Sequence, residues 1–419
     1  MSYSAEIIAV GTELLLGNVT NTNARDLSER LSGLGVNVFY HTVVGDNPDR
    51  LRQAVEIARN RADIIITTGG LGPTYDDMTK ETLAACFGKE LVCHADIAEE
   101  IRAFFARRFP DAPMPENNLR QAYLPEGCTV LHNGRGTAPG CAFFAADKHV
   151  LMLPGPPREL RAMFEQSAVP YLRKLSDGEI ISHNIHIFGM GESAVEERLQ
   201  GLMQRLTNPT LAPYAKLGEV MLRLTAKAPS EAEAEALMAP VLEEVRAELG
   251  DVIYGIDVDS LKNTVLQLLL EAGKTIATAE SCTGGLVSKR LTDLPGASAV
   301  FLGGVAAYSN AVKTELLGVP ADLIATQGAV SEPVARAMAE GVRTRLGADF
   351  GIGITGIAGP DGGTEEKPVG TVFVAFATPE ETFVRALTLG SDRTRVRNSA
   401  SSHALDMVRR YLTGLPMGV

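Results

Sequence analysis

Thr275-Ile276-Ala277-Thr278-Ala279-Glu280-Ser281-Cys282-Thr283-Gly284-Gly285-Leu286-Val287-Ser288-Lys289-Arg290-Leu291 is the stretch that decides how this chain folds. Thr275–Thr278 has the β-branched, apolar character of a short strand. Gly284–Leu291 has the look of a helix start. A strand that passes at once into a helix is the repeating unit of an α/β domain. The polar cluster Ala279–Gly285 is then pinned at the strand-to-helix turn, where a hydroxyl is exposed and backbone N–H groups lack partners. Three readings of that turn stand side by side: helix capping, a phosphate-binding turn, and a nucleophile with an oxyanion hole.

Working outward, the same alternation recurs twice. In residues 1–175, strands are expected at Ile7–Val10, Val36–Val44 and Asp63–Thr68, with helices near 21–34, 49–61 and 77–87. That pattern predicts a parallel sheet flanked by helices. Gly140–Leu153 reads as paired strands, and Arg158–Leu175 as one amphipathic helix. Residues 176–256 form a small α+β module: a strand (Ile180–Phe188), a helix (Ser193–Leu206), a hairpin turning near Lys216-Leu217-Gly218, an Ala/Glu-rich helix (Ser230–Leu249) and a short strand. Ser176-Asp177-Gly178 and Gly255–Asp259 are the expected hinges. Residues 257–419 return to α/β, with a helix at Leu261–Ala272, strands near 299–308, 349–355, 370–377 and 382–389, and a last helix near 393–412. The fold class is therefore α/β: two three-layer domains joined by a small α+β module.

Composition narrows the function. The chain has 419 residues, 45% hydrophobic and 21% charged, with a net charge of −12. Length and apolar content fit a multidomain globular protein. The acidic balance disfavours nucleic acid or an anionic membrane as the main partner. The five cysteines (Cys86, Cys93, Cys128, Cys141, Cys282) never fall as CxxC, which argues for a reducing, cytoplasmic setting and against a zinc ribbon or disulfide framework. No signal peptide and no membrane span is expected.

In the C-terminal third, Tyr308-Ser309-Asn310 with Lys313, Gly353-Ile354-Thr355-Gly356-Ile357-Ala358-Gly359-Pro360, and Asp392-Arg393-Thr394-Arg395-Val396-Arg397 all fall at strand exits or helix starts. Sites in open α/β sheets form at such ends. A hydroxyl nucleophile needs a base, and the one histidine of this third, His403, lies well inside the last helix. Lysine can serve instead if desolvation lowers its pKa. Lys313 is the candidate, against its bland reading as a solvated helix lysine. Cys282 is the rival nucleophile, or simply a small buried apolar side chain.

In the N-terminal third, Thr67-Thr68-Gly69-Gly70-Leu71-Gly72-Pro73-Thr74-Tyr75-Asp76-Asp77 follows a strand. Its glycines allow close backbone approach to a phosphate, and Asp76 and Asp77 can hold a divalent cation or cap a helix. No Walker loop occurs. Asn133–Gly140 and Leu153–Glu159 are further ligand-ready loops.

The motifs at 279–285, 308–313 and 353–360, over residues 260–415, resemble the C-terminal domain of the CinA family, which is similar to the nicotinamide mononucleotide deamidase PncC. The resemblance implies a serine–lysine amidohydrolase with no cofactor: Ser281 as nucleophile, Lys313 as base, and Tyr308, Thr355 and Arg395 as further site positions. Thr283, Gly284 and Gly285 would line the oxyanion turn, and Arg395 would take the 5′-phosphate. Residues 4–172, with Gly11–Gly17, resemble the MoaB/MogA-type molybdopterin-binding domain of the same family. That implies a metal-dependent ADP-ribose pyrophosphatase, with Asp76 and Asp77 holding a divalent ion and Gly69, Gly70, Gly72 and Thr74 around the diphosphate. A molybdopterin ligand, or a competence-associated scaffold with vestigial sites, is the competing reading. The middle module resembles the family's KH-like domain but has no GxxG loop, so a spacer or dimerisation role is expected over RNA binding. The expected partners are pyridine and adenine nucleotides and a second copy of the chain.

Overall fold

The computed structural model describes residues 3–175, 178–216 and 218–417. The hinge expected at Ser176-Asp177 and the hairpin tip at Leu217 lie outside the described residues. By contact the chain divides into two compact units, Met1–Ser182 with Thr225–Leu237, and His183–Leu224 with Met238–Val419.

The N-terminal strands are β1 (Ser4–Val10), β2 (Asn37–Val44), β3 (Ile64–Thr68), β4 (Leu91–Cys93), β5 (Tyr123–Pro125), β6 (Thr129–Leu131), β7 (Gly140–Ala145) and β8 (Lys148–Leu153). Six of them form one sheet in the order β2-β1-β3-β8-β7-β6. The first four are parallel, while β7 and β6 return antiparallel. The expected parallel sheet is thus a mixed one, because Gly140–Leu153 makes a hairpin. Successive side chains of a strand face opposite ways. Ile7, Ile64, Ile66 and Leu151 accordingly enter one core, and Ile8, Val10, Ile65 and Val150 the other. Both faces are covered, which is why these strands read as unbroken apolar runs.

The helix expected over Arg158–Leu175 is interrupted. It runs Pro157–Met163, widens into a π turn at Phe164–Ala168, and resumes at Val169–Arg173. Pro170 has no N–H to donate and its ring collides with the carbonyl four residues earlier, so the turn opens to accommodate it.

The middle sheet has the order β10-β11-β9-β12, from β9 (Glu179–Ile187), β10 (Thr210–Lys216), β11 (Glu219–Ala228) and β12 (Ile253–Ile256). Helices Glu192–Arg205 and Glu231–Leu249 accompany it.

The C-terminal sheet has the order β14-β13-β15-β16-β17. Its strands are β13 (Ile276–Glu280), β14 (Phe301–Ala306), β15 (Phe350–Gly356), β16 (Thr371–Ala377) and β17 (Thr382–Thr388). β14, β13 and β15 are parallel, and β16 and β17 antiparallel. Ile276, Ile352, Ile354, Val372 and Val374 fill one face against helices Leu261–Ala272 and Arg393–Leu412. The other face is small. Gly351 and Gly353 lie under the helix Glu332–Leu346, where a Cβ would meet Ala339 O at 2.2 Å and Ala335 O at 2.3 Å. That helix and a shorter one at Ala321–Gln327 have no counterpart in the sequence reading.

Candidate active site

β13 ends at Glu280, and the Ser281 N–H donates to Ile354 O of neighbouring β15 at 2.9 Å. The Glu280 side chain is buried and turns to the helix Leu286–Thr292. Its carboxylate accepts the N–H groups of Val287 (3.0 Å) and Ser288 (2.9 Å) and the Ser288 hydroxyl (2.8 Å). An anion on otherwise unpaired helical N–H groups is a favourable cap. Ser281 is thereby held between a sheet bond and a helix cap. Gly284 (φ 60) and Gly285 (φ 90) carry the chain through the left-handed region that glycine tolerates. The Gly284 N–H closes back on Ser281 O at 3.1 Å. Among the described residues, the N–H groups of Cys282, Thr283 and Gly285 donate to no oxygen, and those of Cys282 and Thr283 face the Cys282 sulfur, a weak acceptor that an oxyanion would displace. Such free donors beside a hydroxyl are what an oxyanion needs.

Lys313 comes to this hydroxyl from the helix Asn310–Leu317, whose first turn is capped by the Ser309 hydroxyl accepting the Val312 N–H. Lys313 is 1% exposed. Its Nζ lies 3.3 Å from Ser281 Oγ and donates to Ala307 O at 2.8 Å and Tyr308 O at 3.2 Å. No carboxylate pairs with it among the described residues. Burial pushes the ammonium below the ordinary lysine range. As an ammonium Nζ donates to all three oxygens; as a neutral amine it keeps its N–H bonds to the two carbonyls and turns its lone pair to the serine O–H.

Thr355, at the end of β15, is buried and donates to Ala329 O at 2.7 Å. Tyr308 is 66% exposed, and its carbonyl rather than its ring reaches Lys313. Cys282 is buried, and burial raises its thiol to about 11, which leaves it a poor nucleophile. His403 packs edge-on against Phe188, and burial lowers it to about 4, so it is a core histidine. Arg395 is exposed, and among the described residues its side chain bonds nothing, while its N–H donates to Asp392 Oδ1 at 2.6 Å. Its neighbours on the same helix do reach the loops: Arg393 donates to Gly359 O (2.7 Å) and Arg397 to Thr283 O (2.8 Å).

In the first unit, a cavity of about 600 Å³ opens where β1, β3 and β8 end, and Gly69, Gly70, Gly72, Asp76 and Asp77 line it. Gly69 (φ 97) is forced by close approach, since a Cβ there would lie 2.2 Å from Val10 O. The far end of the loop is pinned by Thr79, whose hydroxyl donates to Gly69 O at 2.8 Å. Thr74 is not on the lining; its N–H and hydroxyl donate to Asp77 Oδ2 at 2.9 and 2.5 Å. Asp76 is exposed. Among the described residues no three His, Cys, Asp or Glu side chains converge as a metal cage. The two aspartates instead suit a hard ion of the Mg²⁺ type, which takes one or two carboxylates and completes its shell with water and substrate phosphate. Arg120 was not anticipated. Its fork holds Thr74 O (2.7 Å), Asp77 O (3.3 Å) and Glu81 (3.0 Å), bracing the whole acidic loop.

Three family models match in chain order: "Probable molybdopterin binding domain" over residues 6–174, "Damage-inducible protein CinA KH domain" over 182–255, and "CinA C-terminal domain" over 258–412. A CinA-like protein of Dictyoglomus turgidum is 49% identical over 410 residues, covering 98% of this chain and 99% of its own. A CinA-like protein of Kosmotoga olearia is 49% identical over 411 residues, with 98% and 99% covered. The chain belongs to the CinA family. A solved CinA structure from Thermoplasma acidophilum is 34% identical, covers 40% of this chain and 98% of that one, and has a TM-score of 0.36.

Within this CinA chain, no helix among the described residues is long and apolar enough to cross a membrane. Glu280, Arg393 and Arg397 were quoted in the sequence runs without a role; Glu280 caps the helix that follows the serine turn, and the two arginines reach Gly359 and Thr283 through contacts 34 and 114 residues apart. The signal available for the two arginines was their spacing, which puts them on one helix face.

Proposed function

We propose that the C-terminal domain is an amidohydrolase that converts nicotinamide mononucleotide to nicotinate mononucleotide and ammonia. The observation that carries this reading is a buried lysine amine, without a carboxylate partner among the described residues, within reach of a serine hydroxyl at a turn where the N–H groups of Cys282, Thr283 and Gly285 are not committed to oxygen. Neutral Lys313 takes the Ser281 proton as Oγ attacks the amide carbon. The oxygen anion that forms is met by the free N–H groups of Cys282, Thr283 and Gly285. Lys313 returns its proton to the departing nitrogen, the C–N bond breaks, and ammonia leaves an acyl-serine. Water then attacks the ester, again giving its proton to Lys313. The acid departs and Ser281 regains its hydrogen. The cationic pyridinium ring of such a substrate disfavours a second positive charge nearby and so keeps Lys313 neutral. Arg395, its guanidinium free among the described residues, suits the 5′-phosphate. Ammonia release from the mononucleotide by the intact chain, with Ser281→Ala alongside, tests the reading. Equal release by the variant removes it.

For the N-terminal domain we propose metal-dependent hydrolysis of ADP-ribose at the diphosphate. Asp76 and the free oxygen of Asp77 would hold the ion, which neutralises diphosphate charge and polarises phosphorus when bound. Gly69, Gly70 and Gly72 give the diphosphate room, and Arg120 keeps the acidic loop in place. AMP release with and without a divalent ion, in wild type and Asp77→Ala, is the test. Tight pterin binding without hydrolysis would favour a molybdopterin site instead.

A further inference from the structure

The C-terminal helix sends one side chain back to the nucleophile turn. Arg397 donates from Nη2 to Thr283 O at 2.8 Å, across 114 residues of sequence. The same peptide unit is held from its other side, because the Gly284 N–H donates to Ser281 O at 3.1 Å. A trans peptide is planar, with C=O and N–H pointing oppositely. Two bonds pulling in opposite directions therefore fix the plane of the Thr283–Gly284 peptide. That plane joins the free N–H of Thr283 to that of Gly285. It also sits where Gly284 and Gly285 have positive φ, so the backbone has many other conformations open to it without such a tether.

The guanidinium is close to the turn as a whole. A Cβ on Gly284 would come within 3.6 Å of Arg397 Nη2. Among the described residues, two buried polar atoms here have no partner: Nε of Arg397 and Oγ1 of Thr283, whose side chain is wholly buried. No carboxylate pairs with Arg397 among the described residues, so its positive charge is spent on the turn.

Resting on the amidohydrolase reading, we propose that Arg397 is a positioning residue for the oxyanion turn. It locks the Thr283–Gly284 peptide so that the free N–H groups stay ready for the tetrahedral anion, and its charge favours that anion over the neutral amide. It is distinct from Arg395, which is exposed and suited to the phosphate. Loss of positioning lowers kcat and leaves KM alone, whereas loss of phosphate binding raises KM.

The experiment uses the full chain and four proteins: wild type, Arg397→Met, Arg397→Lys and Arg395→Ala. Two readouts are taken: kcat and KM for ammonia release from nicotinamide mononucleotide, and the rate at which a fluorophosphonate phosphonylates Ser281, followed by mass spectrometry. Arg397→Met is expected to lower kcat about 100-fold, the scale of one lost oxyanion donor, with KM within about twofold, and to slow phosphonylation to a similar degree. Arg397→Lys keeps the charge and one donor and recovers about tenfold of that loss. Arg395→Ala raises KM instead. A merely structural arginine would lower the melting temperature while leaving both rates per folded molecule intact, and that result overturns the proposal. If the wild type labels at Ser281 in an Arg397-dependent way yet releases no ammonia, the positioning role stands and the substrate assignment falls.

Discussion

Replacing Lys313 with methionine separates chemistry from stability at one buried position. An ordinary lysine titrates at 10.5. At pH 7.5 such an amine would be neutral in about one molecule in a thousand, so each unit by which burial lowers it restores about tenfold in competent enzyme. In the wild type, kcat/KM for ammonia release should therefore climb with pH along a limb of unit slope, with its midpoint below 10.5. Lys313→Met should fall by at least about 1000-fold and lose that limb. The fold should survive. The carbonyls of Ala307 and Tyr308 lose a donor, which costs about 1–3 kcal/mol each. Removing a buried amine and adding an apolar chain of similar length offsets much of that. The linkage sign follows from the lowered folded-state pKa. The folded chain binds fewer protons than the unfolded one between that pKa and about 10.4, so wild-type stability relative to Lys313→Met rises with pH in that window, by about 1.4 kcal/mol per unit. Denaturant melts of both proteins from pH 7 to 10 read this difference. A variant within tenfold of wild-type activity, or a wild-type limb centred at 10.5 or above, would refute the general-base assignment.

Gly69→Ala should destabilise the N-terminal unit by about 3 kcal/mol, since it combines a strained φ with a Cβ 2.2 Å from Val10 O; differential scanning calorimetry should show one transition lowered and the other unmoved. His403, held to about 4 in the fold against 6.5 free, contributes an acid-sensitive term. Stability is intact above pH 6.5 and falls by about 3 kcal/mol as pH drops to 4, and urea midpoints of His403→Leu should lack that part of the decline. Glu280→Gln replaces an acceptor facing Val287 N–H or Ser288 with a donor, and each lost charge-assisted bond is worth about 1.5–3 kcal/mol. It should lower both the melting temperature and ammonia release, and unchanged values in both would show that the cap is idle.

The N-terminal α/β part was legible because its central strands β1, β3 and β8 are covered on both faces and carry apolar runs, and the C-terminal part because a strand passes at once into a helix at 275–291. Leu261–Ala272 and the last helix fell where their periodicity put them. Glu332–Leu346 buries Val334, Ala335, Met338, Ala339 and Val342, and the two alanines that meet the glycines of β15 weaken the apolar stripe by which such a helix is read. Ser281 and Lys313 were legible as chemistry, from a turn with a hydroxyl and the want of a histidine motif. Their 3.3 Å approach depends on the pairing of β13 with β14, which local sequence does not encode. The three alternate arginines of the last helix look alike as letters. Positions 393 and 397 are one turn apart and share a face, while 395 points elsewhere. Glu280 is the clearest case of tertiary meaning: its partners lie seven and eight residues ahead, beyond any helical capping spacing.

The backbone contact between β15 and the helix Glu332–Leu346 has a mechanical consequence. With Gly351 and Gly353 seated against the carbonyls of Ala339 and Ala335 and the Cβ of Arg343, the two elements mesh with little side chain between them to act as bearings. Sliding or rolling either one drives main chain into main chain. Thr355 at the strand's end, and Ile354, whose carbonyl anchors Ser281, are thus mounted on a rigid chassis. Whatever yielding a substrate requires is left to the loop at 357–370 that hangs off it, since the turn at 281–285 is tied to Ile354 and to Arg397.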